Sequence, residues 1–249
     1  MTAPEYTAAL KKRMEENARC LNCGVPFCQT GVIYEGMRLG CPLHNLIPEW
    51  NDMLRLGNVS HALSRLLKVN CFPEFTGRIC PAFCQRACIR GETQEPVAIR
   101  ENELFIAEYG FEKHLMGPFP PPVRSDRRAA VIGSGPAGMA AAFYLNRRGH
   151  SVTIFEKADA PGGQLLQIQQ KRLPHSVVAR RISLLEQEGI VFRTGTEADA
   201  EKLAAEFDSV TVCTGPASKK DSLTVLAIAE GKRKAAETDR ELMGYTSLE

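Results

Sequence analysis

The residues of this 249-residue chain whose types and spacing most directly predict chemistry are its nine cysteines. Eight of them lie between Cys20 and Cys88, and only Cys213 lies outside that range. Residues 1–16 are polar and mixed in charge, without the apolar core of a secretion signal, so we expect a reducing, cytoplasmic setting. Clustered cysteines in such a setting indicate metal binding or redox chemistry rather than disulfides.

The clustered cysteines form two groups with short spacings, and each group includes a Cys-Pro step. The groups are Cys20-x2-Cys23-x4-Cys28 with Cys41-Pro42, and Cys80-Pro81-x2-Cys84-x3-Cys88. Short spacings bring several thiolates onto one iron–sulfur cluster, and in two-cluster ferredoxins the cysteine of a Cys-Pro step binds the other cluster. We therefore predict two [4Fe–4S] clusters with a similar crossing of ligands. The spacing of Cys84 and Cys88 also predicts that both lie on one helix face.

Two further cysteines do not fit this pattern. Cys71 has no close partner and is interpreted as a buried thiol, and Cys213 ends an apolar strand and is interpreted as a core residue. Seven cysteines then remain for eight ligand positions, which predicts one fourth ligand other than cysteine. Zinc sites of four cysteines are the alternative, because they use similar close pairs. The two Cys-Pro steps, the triple group and the long helical segment between the groups favour iron–sulfur clusters.

A glycine-rich turn in the second half predicts a dinucleotide site. The motif Gly133-Ser134-Gly135-Pro136-Ala137-Gly138 follows a short β run and precedes a helix of small residues. Such a turn lets a pyrophosphate approach the helix N-terminus, and Glu156 ends the next strand where a carboxylate would hold ribose hydroxyls. The motif alone does not separate FAD from NAD, but the second turn Pro161-Gly162-Gly163-Gln164 favours FAD. A purely structural glycine turn is the alternative.

The elements that must position these residues divide the chain in two. Helices are predicted over residues 5–19, 46–56, 59–69, 83–89 and 98–115. The Gly/Pro-rich segment 117–122 predicts a stiff interdomain linker. Beyond it, strands are predicted over 128–132, 151–155, 190–192 and 210–213, and helices over 138–148, 173–188, 201–206 and 222–242. We therefore predict domains over residues 1–122 and 123–249.

Composition excludes several classes of function. The net charge of +2 gives no strong attraction to nucleic acid, and no apolar stretch is long enough to span a membrane. No Ser/His/Asp or HExxH-like arrangement is evident, the five histidines are scattered, and we assign no catalytic residue.

Three long segments resemble the small (beta) subunit of glutamate synthase. They are residues 18–28 (ARCLNCGVPFC), 41–52 (CPLHNLIPEWND) and 72–81 (FPEFTGRICP), and the likeness extends through the glycine turn. The family includes the flavin subunit of the electron-bifurcating NADH-dependent ferredoxin:NADP oxidoreductase and the N-terminal part of dihydropyrimidine dehydrogenase. The resemblance implies an α-helical ferredoxin-like domain with two [4Fe–4S] clusters, followed by a Rossmann-like FAD domain.

The resemblance also implies which residues bind the cofactors. One cluster would be held by Cys20, Cys23, Cys28 and Cys88, and the other by Cys41, Cys80, Cys84 and Glu103. Glu103 follows Pro96 by seven residues, which is where the family has its Glu or Gln ligand. The implied FAD contacts are Gly133, Gly135, Pro136, Ala137, Gly138, Glu156, Lys157, Gly162, Gly163, Gln164, Thr214 and Gly215.

The chain departs from the family in its second half. Family members carry an NADPH-binding domain inserted into the FAD domain, but here few residues separate the strand ending at Cys213 from the next helix. There is no second GxGxxG, so we expect the nicotinamide domain to be absent. The Gly-Asp step that contacts the flavin chain is also missing, and Asp221 is the nearest acid.

These observations favour an electron-transfer subunit that docks on a larger redox enzyme. Candidate partners are an electron-bifurcating oxidoreductase, a hydrogenase or a glutamate synthase large subunit. Residues 30–40 form either a docking loop or a plain surface loop. The alternatives are a self-contained NAD(P)H oxidoreductase and a module in which metal serves only the fold.

Overall fold

A computed structural model describes residues 3–214 and 223–248 of the chain. It divides into two compact units, Met1–Met116 and Gly117–Glu249. The division falls at the beginning of the Gly/Pro-rich segment 117–122 that the sequence identifies as a linker. Asp221, Gly215 and the first residue of the predicted last helix lie outside the described residues.

The first unit is helical, with one small hairpin. Its helices are α1 Ala3–Asn17, α2 Ile47–Arg55, α3 Val59–Leu67, α4 Pro73–Ile79, α5 Phe83–Arg86 and α6 Ile99–Glu112. Strands β1 (Val32–Tyr34) and β2 (Met37–Leu39) pair antiparallel. Short 3-10 turns cover Phe27–Gln29 and Ile89–Glu92.

The apolar spacing of the sequence explains the core of this unit. Trp50 and Leu54 lie four residues apart on α2, and Leu63 and Leu66 lie three apart on α3, so each pair shares one helix face. These four side chains pack with Ile106 of α6 in one cluster, and none is more than 3% exposed. Burial of each stabilises the fold by about 1.5–3 kcal/mol. This core holds the loops that carry the cysteines.

Sequence patterns missed the hairpin and α4, and misplaced the end of α5. The hairpin turn has Glu35 and Gly36 at φ 48° and 77°, a left-handed pair usually announced by Asn-Gly. Helix α4 begins at Pro73, a position that proline favours. Helix α5 ends at Arg86 rather than at residue 89, and Cys88 is extended. The prediction that Cys84 and Cys88 share a helix face was therefore wrong.

The second unit is a parallel α/β fold. It comprises β3 Arg128–Ile132, α7 Pro136–Arg147, β4 Ser151–Phe155, α8 His175–Gln187, β5 Val191–Arg193, α9 Ala200–Leu203, β6 Ser209–Val212 and α10 Thr224–Met243, with a 3-10 turn at Gly163–Gln167. The strand order is β5-β4-β3-β6, with every neighbouring pair parallel. This order corresponds to the first four strands, 3-2-1-4, of a doubly wound dinucleotide-binding sheet, which confirms the Rossmann-like class.

Helix α10 packs closely on α7 because small residues meet at the crossing. A Cβ atom added to Gly231 would overlap the carbonyl oxygen of Ala137 and lie 2.9 Å from Ala140 Cβ. Glycine at 231 therefore permits a backbone approach that any side chain would block. Helix α10 therefore packs directly against α7, the helix that begins at the glycine turn.

A buried carboxylate also fixes α10. Asp239 is fully buried; its Oδ1 accepts from His150 Nε2 and its Oδ2 from Arg148 Nε, both at 2.8 Å. His150 Nδ1 lies 2.8 Å from Ser125 Oγ. A Ser/His/Asp line thus exists that sequence analysis did not find. Because His150 and Asp239 are shut off from solvent, the line acts as a structural link and not as a hydrolytic site.

Within residues 3–214 and 223–248, no helix combines the length and the apolar character needed to cross a membrane.

Gly231→Ala should destabilise the second unit despite the better helix propensity of alanine. The added methyl meets the α7 backbone, which cannot move aside, so we expect a loss of about 1–3 kcal/mol in the free energy of unfolding, measured by urea denaturation followed by circular dichroism. Gly117→Ala is the control, since its Cβ would meet nothing within 4 Å. Equal stability of the two variants would contradict the close packing of α10 on α7.

Asp239→Asn should remove an acid-sensitive part of the stability. Burial opposes the charged form of Asp239, but hydrogen bonds from Thr246, His150 and Arg148 outweigh it and lower its pKa. A lowered folded-state pKa stabilises above the unfolded value of about 3.9, and this contribution is lost as pH falls through the folded pKa.

We expect D239N to lose about 2 kcal/mol of unfolding free energy at pH 7, and to lose less relative to wild type as the pH falls below about 4. Denaturant titrations between pH 3 and 7 measure both. Asp126→Asn, at an exposed position, is the control. A D239N deficit that does not depend on pH would contradict the assignment.

Candidate cluster and nucleotide sites

Four cysteines from distant parts of the first unit line one cavity. They are Cys20, Cys23, Cys28 and Cys88, the set that the resemblance implied for one cluster. Cys20 and Cys23 lie in the loop after α1, Cys28 lies in the 3-10 turn Phe27–Gln29, and Cys88 lies between α5 and the following 3-10 turn. The chain therefore folds back to bring a residue of the second cysteine group to the first.

The thiols of this set, called the first cysteine site, influence one another electrostatically. Burial, together with the charges of Cys20, Cys88 and Cys23, raises the pKa of Cys28 to about 12. Burial also raises the pKa of Cys23. All four cysteines are partly buried, and several neighbouring thiolates in such surroundings are unfavourable unless a cation compensates them, so the site suits a metal cluster.

The remaining predicted ligands come together as a second set. Burial raises the pKa of Cys84 well above its usual value, and the charges of Cys41, Glu103 and Cys80 add to this effect. The charge of Cys28 contributes as well, and the backbone N–H of Cys41 donates to the carbonyl oxygen of Cys28 at 2.7 Å, so the two sets are immediate neighbours. We call Cys41, Cys80, Cys84 and Glu103 the second cysteine site.

Glu103 is a buried carboxyl that two neighbours hold in place. Asn70 Nδ2 donates to its Oε1 at 2.8 Å, and Thr76 Oγ1 donates to the same oxygen. Burial raises the pKa of Glu103 to about 7 although both hydrogen bonds oppose the rise. Both bonds end on Oε1, which leaves Oε2 as the oxygen that fits a metal ligand.

Backbone amides point at the sulfurs of the second site. Burial raises the pKa of Cys41 to about 12, although the N–H groups of Asn45 and Leu43 donate to its sulfur and oppose the rise. The N–H groups of Ala82 and Phe83 do the same at Cys80. Ala82 takes a left-handed conformation at φ 57°, which costs a non-glycine residue roughly 1–2 kcal/mol. Amide-to-sulfur bonds of this kind tune iron–sulfur centres.

In the described part of the chain, no three His, Cys, Asp or Glu side chains are placed so that they could hold a single metal ion. The thiols of a cubane cluster surround a larger body and do not converge on one point.

The glycine turn of the second unit leaves open space where a phosphate would approach. Gly133 has φ 102°, and a Cβ there would lie 2.9 Å from the carbonyl oxygen of Cys213. A Cβ on Gly135 would meet nothing within 4 Å, so no contact within the protein explains why this position has no side chain. Gly163 closes over the turn, since its Cβ would lie 3.0 Å from Gly135 Cα. The cradle fits a pyrophosphate on the N-terminus of α7.

Glu156 binds the glycine turn through both carboxylate oxygens. Its Oε2 accepts from the backbone N–H of Ser134 at 2.9 Å and from the Ser134 hydroxyl at 2.6 Å. Its Oε1 accepts from the N–H of Ala158 at 3.0 Å. Burial opposes ionisation, but these bonds lower the pKa of Glu156. A carboxylate has about four acceptor positions, so one is left for a ribose hydroxyl.

The other predicted residues differ in their surroundings. Lys157 and Thr214 are exposed, whereas Gly162 is buried and donates its N–H to Ser134 Oγ at 3.0 Å. Cys71 is 2% exposed and Cys213 5% exposed, in agreement with their interpretation as buried thiols.

Sequence reasoning missed the residues that support the sites. The holders of Glu103, Asn70 and Thr76, come from the segment around α4, which was not predicted as a helix. Asn51 lines the cavity of the first cysteine site and was noted only as part of a motif. The Phe72-to-Pro81 motif was the signal that could have identified the Glu103 partner Thr76.

Two family models match the chain. The one described as dihydropyrimidine dehydrogenase domain II, 4Fe-4S cluster, matches residues 2–115. The one described as an NAD(P)-binding Rossmann-like domain matches residues 131–194. The chain thus combines a 4Fe-4S domain with a Rossmann-like domain, as the sequence predicted.

Curated relatives confirm the resemblance to glutamate synthase small chains. The glutamate synthase [NADPH] small chain of Bacillus subtilis is 46% identical over 226 residues, covering 88% of this chain and 46% of that protein. That of Azospirillum brasilense is 34% identical over 87% of this chain and 45% of its own length. The glutamate synthase [NADH] of Schizosaccharomyces pombe is 44% identical over 83% of this chain, but only 10% of its own length. The chain spans about half the length of the small chains that it matches.

Solved structures show weaker likenesses. A 2-naphthoyl-CoA reductase complex aligns with 80% of this chain and 35% of its own, at 20% identity and a TM-score of 0.35. Mycobacterium tuberculosis FprA in complex with NADPH aligns with 36% of this chain and 23% of its own, at 18% identity and a TM-score of 0.33.

Proposed function

We propose that this chain, which is homologous to glutamate synthase small chains over most of its length, is an electron-transfer subunit that holds two [4Fe–4S] clusters and FAD within a larger oxidoreductase. The observation that carries the proposal is the convergence of Cys88 with Cys20, Cys23 and Cys28 on one cavity. More than fifty residues separate Cys88 from the other three, so their meeting is a property of the fold.

The ligand assignment follows the two cysteine sites. Cys20, Cys23, Cys28 and Cys88 hold one cluster, and Cys41, Cys80, Cys84 and Glu103 hold the other. Asn70 and Thr76 keep the Glu103 carboxylate in position by occupying Oε1. The amides of Asn45, Leu43, Ala82 and Phe83 stabilise the thiolates of Cys41 and Cys80.

FAD is proposed for the second unit. The open space at Gly135 accommodates a pyrophosphate, and the remaining acceptor position of Glu156 suits a ribose hydroxyl. When bound, the clusters would supply one-electron transfer and FAD would interconvert one- and two-electron steps. A second nucleotide-binding domain does not fit between β6 and α10, because residues 215–222 are far fewer than the roughly 50 that a domain needs.

A larger redox subunit of the glutamate synthase type is the proposed partner. In the Schizosaccharomyces pombe protein the matching segment is one tenth of a single long chain, which supports a role as part of a larger enzyme. The β1–β2 hairpin presents Ile33 and Tyr34 to solvent at 65% and 60% exposure. A groove beside it is lined by Val32, Leu39 and Cys88, so the hairpin lies next to the first cysteine site.

A second candidate is an NAD(P)H oxidoreductase that binds nicotinamide at the glycine turn. The description of the family matched by residues 131–194 favours it. Tight flavin in the purified chain would exclude this candidate, and nicotinamide binding without flavin would favour it.

Cofactor analysis of the anaerobically purified chain tests the proposal. We expect about eight irons, eight sulfides and one FAD per chain. Cys28→Ser should fall to about four irons, whereas Cys71→Ala, which changes a cysteine outside both sites, should keep eight. Glu103→Ala should lose iron from the second site, and Glu103→Gln should keep it because the amide oxygen can still bind. Zinc without sulfide would refute electron transfer and leave a structural metal module.

Substitution of the hairpin tests the partner. Ile33→Ser with Tyr34→Ser should weaken binding to the glutamate synthase large chain of the same organism at least tenfold, about 1.4 kcal/mol, because it removes exposed apolar contact area. Binding is measured by surface plasmon resonance with cluster-loaded protein. Val123→Ser, which changes an exposed valine of the second unit, is the control and should bind as wild type. Unchanged affinity of the double variant would rule out docking through the hairpin.

A further inference from the structure

The side chain of Asn51 has a buried donor without a partner. Asn51 lies on α2 and is 1% exposed, and its Nδ2 atom makes no hydrogen bond within the described part of the chain. A buried donor left unsatisfied costs about 1–3 kcal/mol. The same side chain lines the cavity of the first cysteine site.

A network of buried asparagines fixes which end of the Asn51 amide is already hydrogen-bonded. Arg13 has only donors, and its Nη1 donates to Asn102 Oδ1 at 3.1 Å. Asn102 must therefore offer its Nδ2, which donates to Asn17 Oδ1 at 3.0 Å and to Asn51 Oδ1 at 3.4 Å. Asn17 Nδ2 in turn donates to the carbonyl oxygen of Arg13 at 2.7 Å.

This arrangement of hydrogen bonds leaves the Nδ2 end of the Asn51 amide without a partner in the described part of the chain. Because Oδ1 of Asn51 receives the Asn102 donor, a rotation of the Asn51 amide would place two N–H groups against each other. The Arg13 guanidinium thus sets the orientation of the Asn51 amide through Asn102. The Nδ2 group of Asn51 is the donor that lacks an acceptor.

The cavity offers sulfur as that acceptor. Apart from the thiols, its lining is largely apolar, with Leu21, Ile47 and Val97 among the side chains. Arg90 also lines it, but arginine accepts no hydrogen bond, and its Nε donates to the carbonyl oxygen of Arg19. A bridging water would need two to four polar partners, which such walls do not supply.

We propose that Asn51 Nδ2 donates a hydrogen bond to a sulfur of the cluster held by Cys20, Cys23, Cys28 and Cys88. This inference rests on the proposed function. A donor aimed at sulfur favours the reduced, more negative form of the cluster, so Asn51 raises the reduction potential of this cluster relative to an apolar environment. The network to Arg13 on α1 is the means by which the fold holds the donor in place.

A redox titration of the anaerobically purified full chain, followed by EPR, tests the proposal. In Asn51→Leu the oxidised-to-reduced ratio of the first cluster at a fixed potential should rise about tenfold, equivalent to 59 mV for a one-electron couple. The cluster of the second cysteine site should titrate as in wild type. Asn17→Leu is the matched control, because Asn17 belongs to the same network but does not line the cavity.

The deciding result of a second measurement comes from the wild-type protein. Wild-type protein labelled with 15N in asparagine side chains should show a nitrogen hyperfine coupling to the reduced first cluster in pulsed EPR. The coupling should persist in Asn22→Ser, which removes the other asparagine close to these cysteines in sequence. Its absence from labelled wild type would overturn the role of Asn51.

The outcomes separate this inference from the proposed function. A wild-type chain without iron and sulfide would overturn both. A loaded wild-type chain whose first cluster has the same potential in Asn51→Leu would overturn the hydrogen bond alone. Equal shifts in Asn51→Leu and Asn17→Leu would also overturn it, since they would show a general disturbance of the network.

Discussion

The cost of burying thiolates is the constraint on which the first unit depends. Cys28, Cys41, Cys80 and Cys84 are all held where burial raises the thiol pKa, and in both sites neighbouring charges add to the penalty. A helical core around Trp50 positions the segments that carry these cysteines, yet the core alone gives no reason to gather ionisable thiols in apolar surroundings. An iron-containing cluster would supply the missing positive charge, and backbone amides supply further compensation. The fold and the proposed cofactors are therefore two parts of one electrostatic balance.

Polar side chains that are not themselves ligands orient groups at both cysteine sites. Asn70 and Thr76 orient Glu103, and the network from Arg13 orients Asn51. In both cases buried asparagines connect a helix to a cysteine site, so the sites are coupled to the packing of the helices. The glycine turn of the second unit is held in a similar way, because Glu156 accepts from the N–H of Ser134 beside the open space at Gly135.

Much of the fold could be predicted from local pattern. Apolar periodicity located α2, α3 and α6 within a few residues, and the alternation of strands and helices after residue 128 predicted the parallel sheet. The hairpin was not predicted because Glu35 adopts a left-handed conformation without the residues that usually indicate such a turn. Helix α5 was predicted too long because the chain becomes extended at Cys88 to reach the first cysteine site, a tertiary demand that overrides helix propensity.

The sequence by itself determined the chemical inventory: the cysteine spacings, the Cys-Pro steps, the glycine turn and the acid that follows it. These depend on residue types at short separations, where chain connectivity limits the geometry. The family resemblance already implied which thiols meet, but only the tertiary structure decided what holds Glu103 and that Asn51, which lines the cavity, has an unpaired donor. Those relations join residues far apart in sequence, and the direction of each hydrogen bond depends on which partner the packing brings within reach.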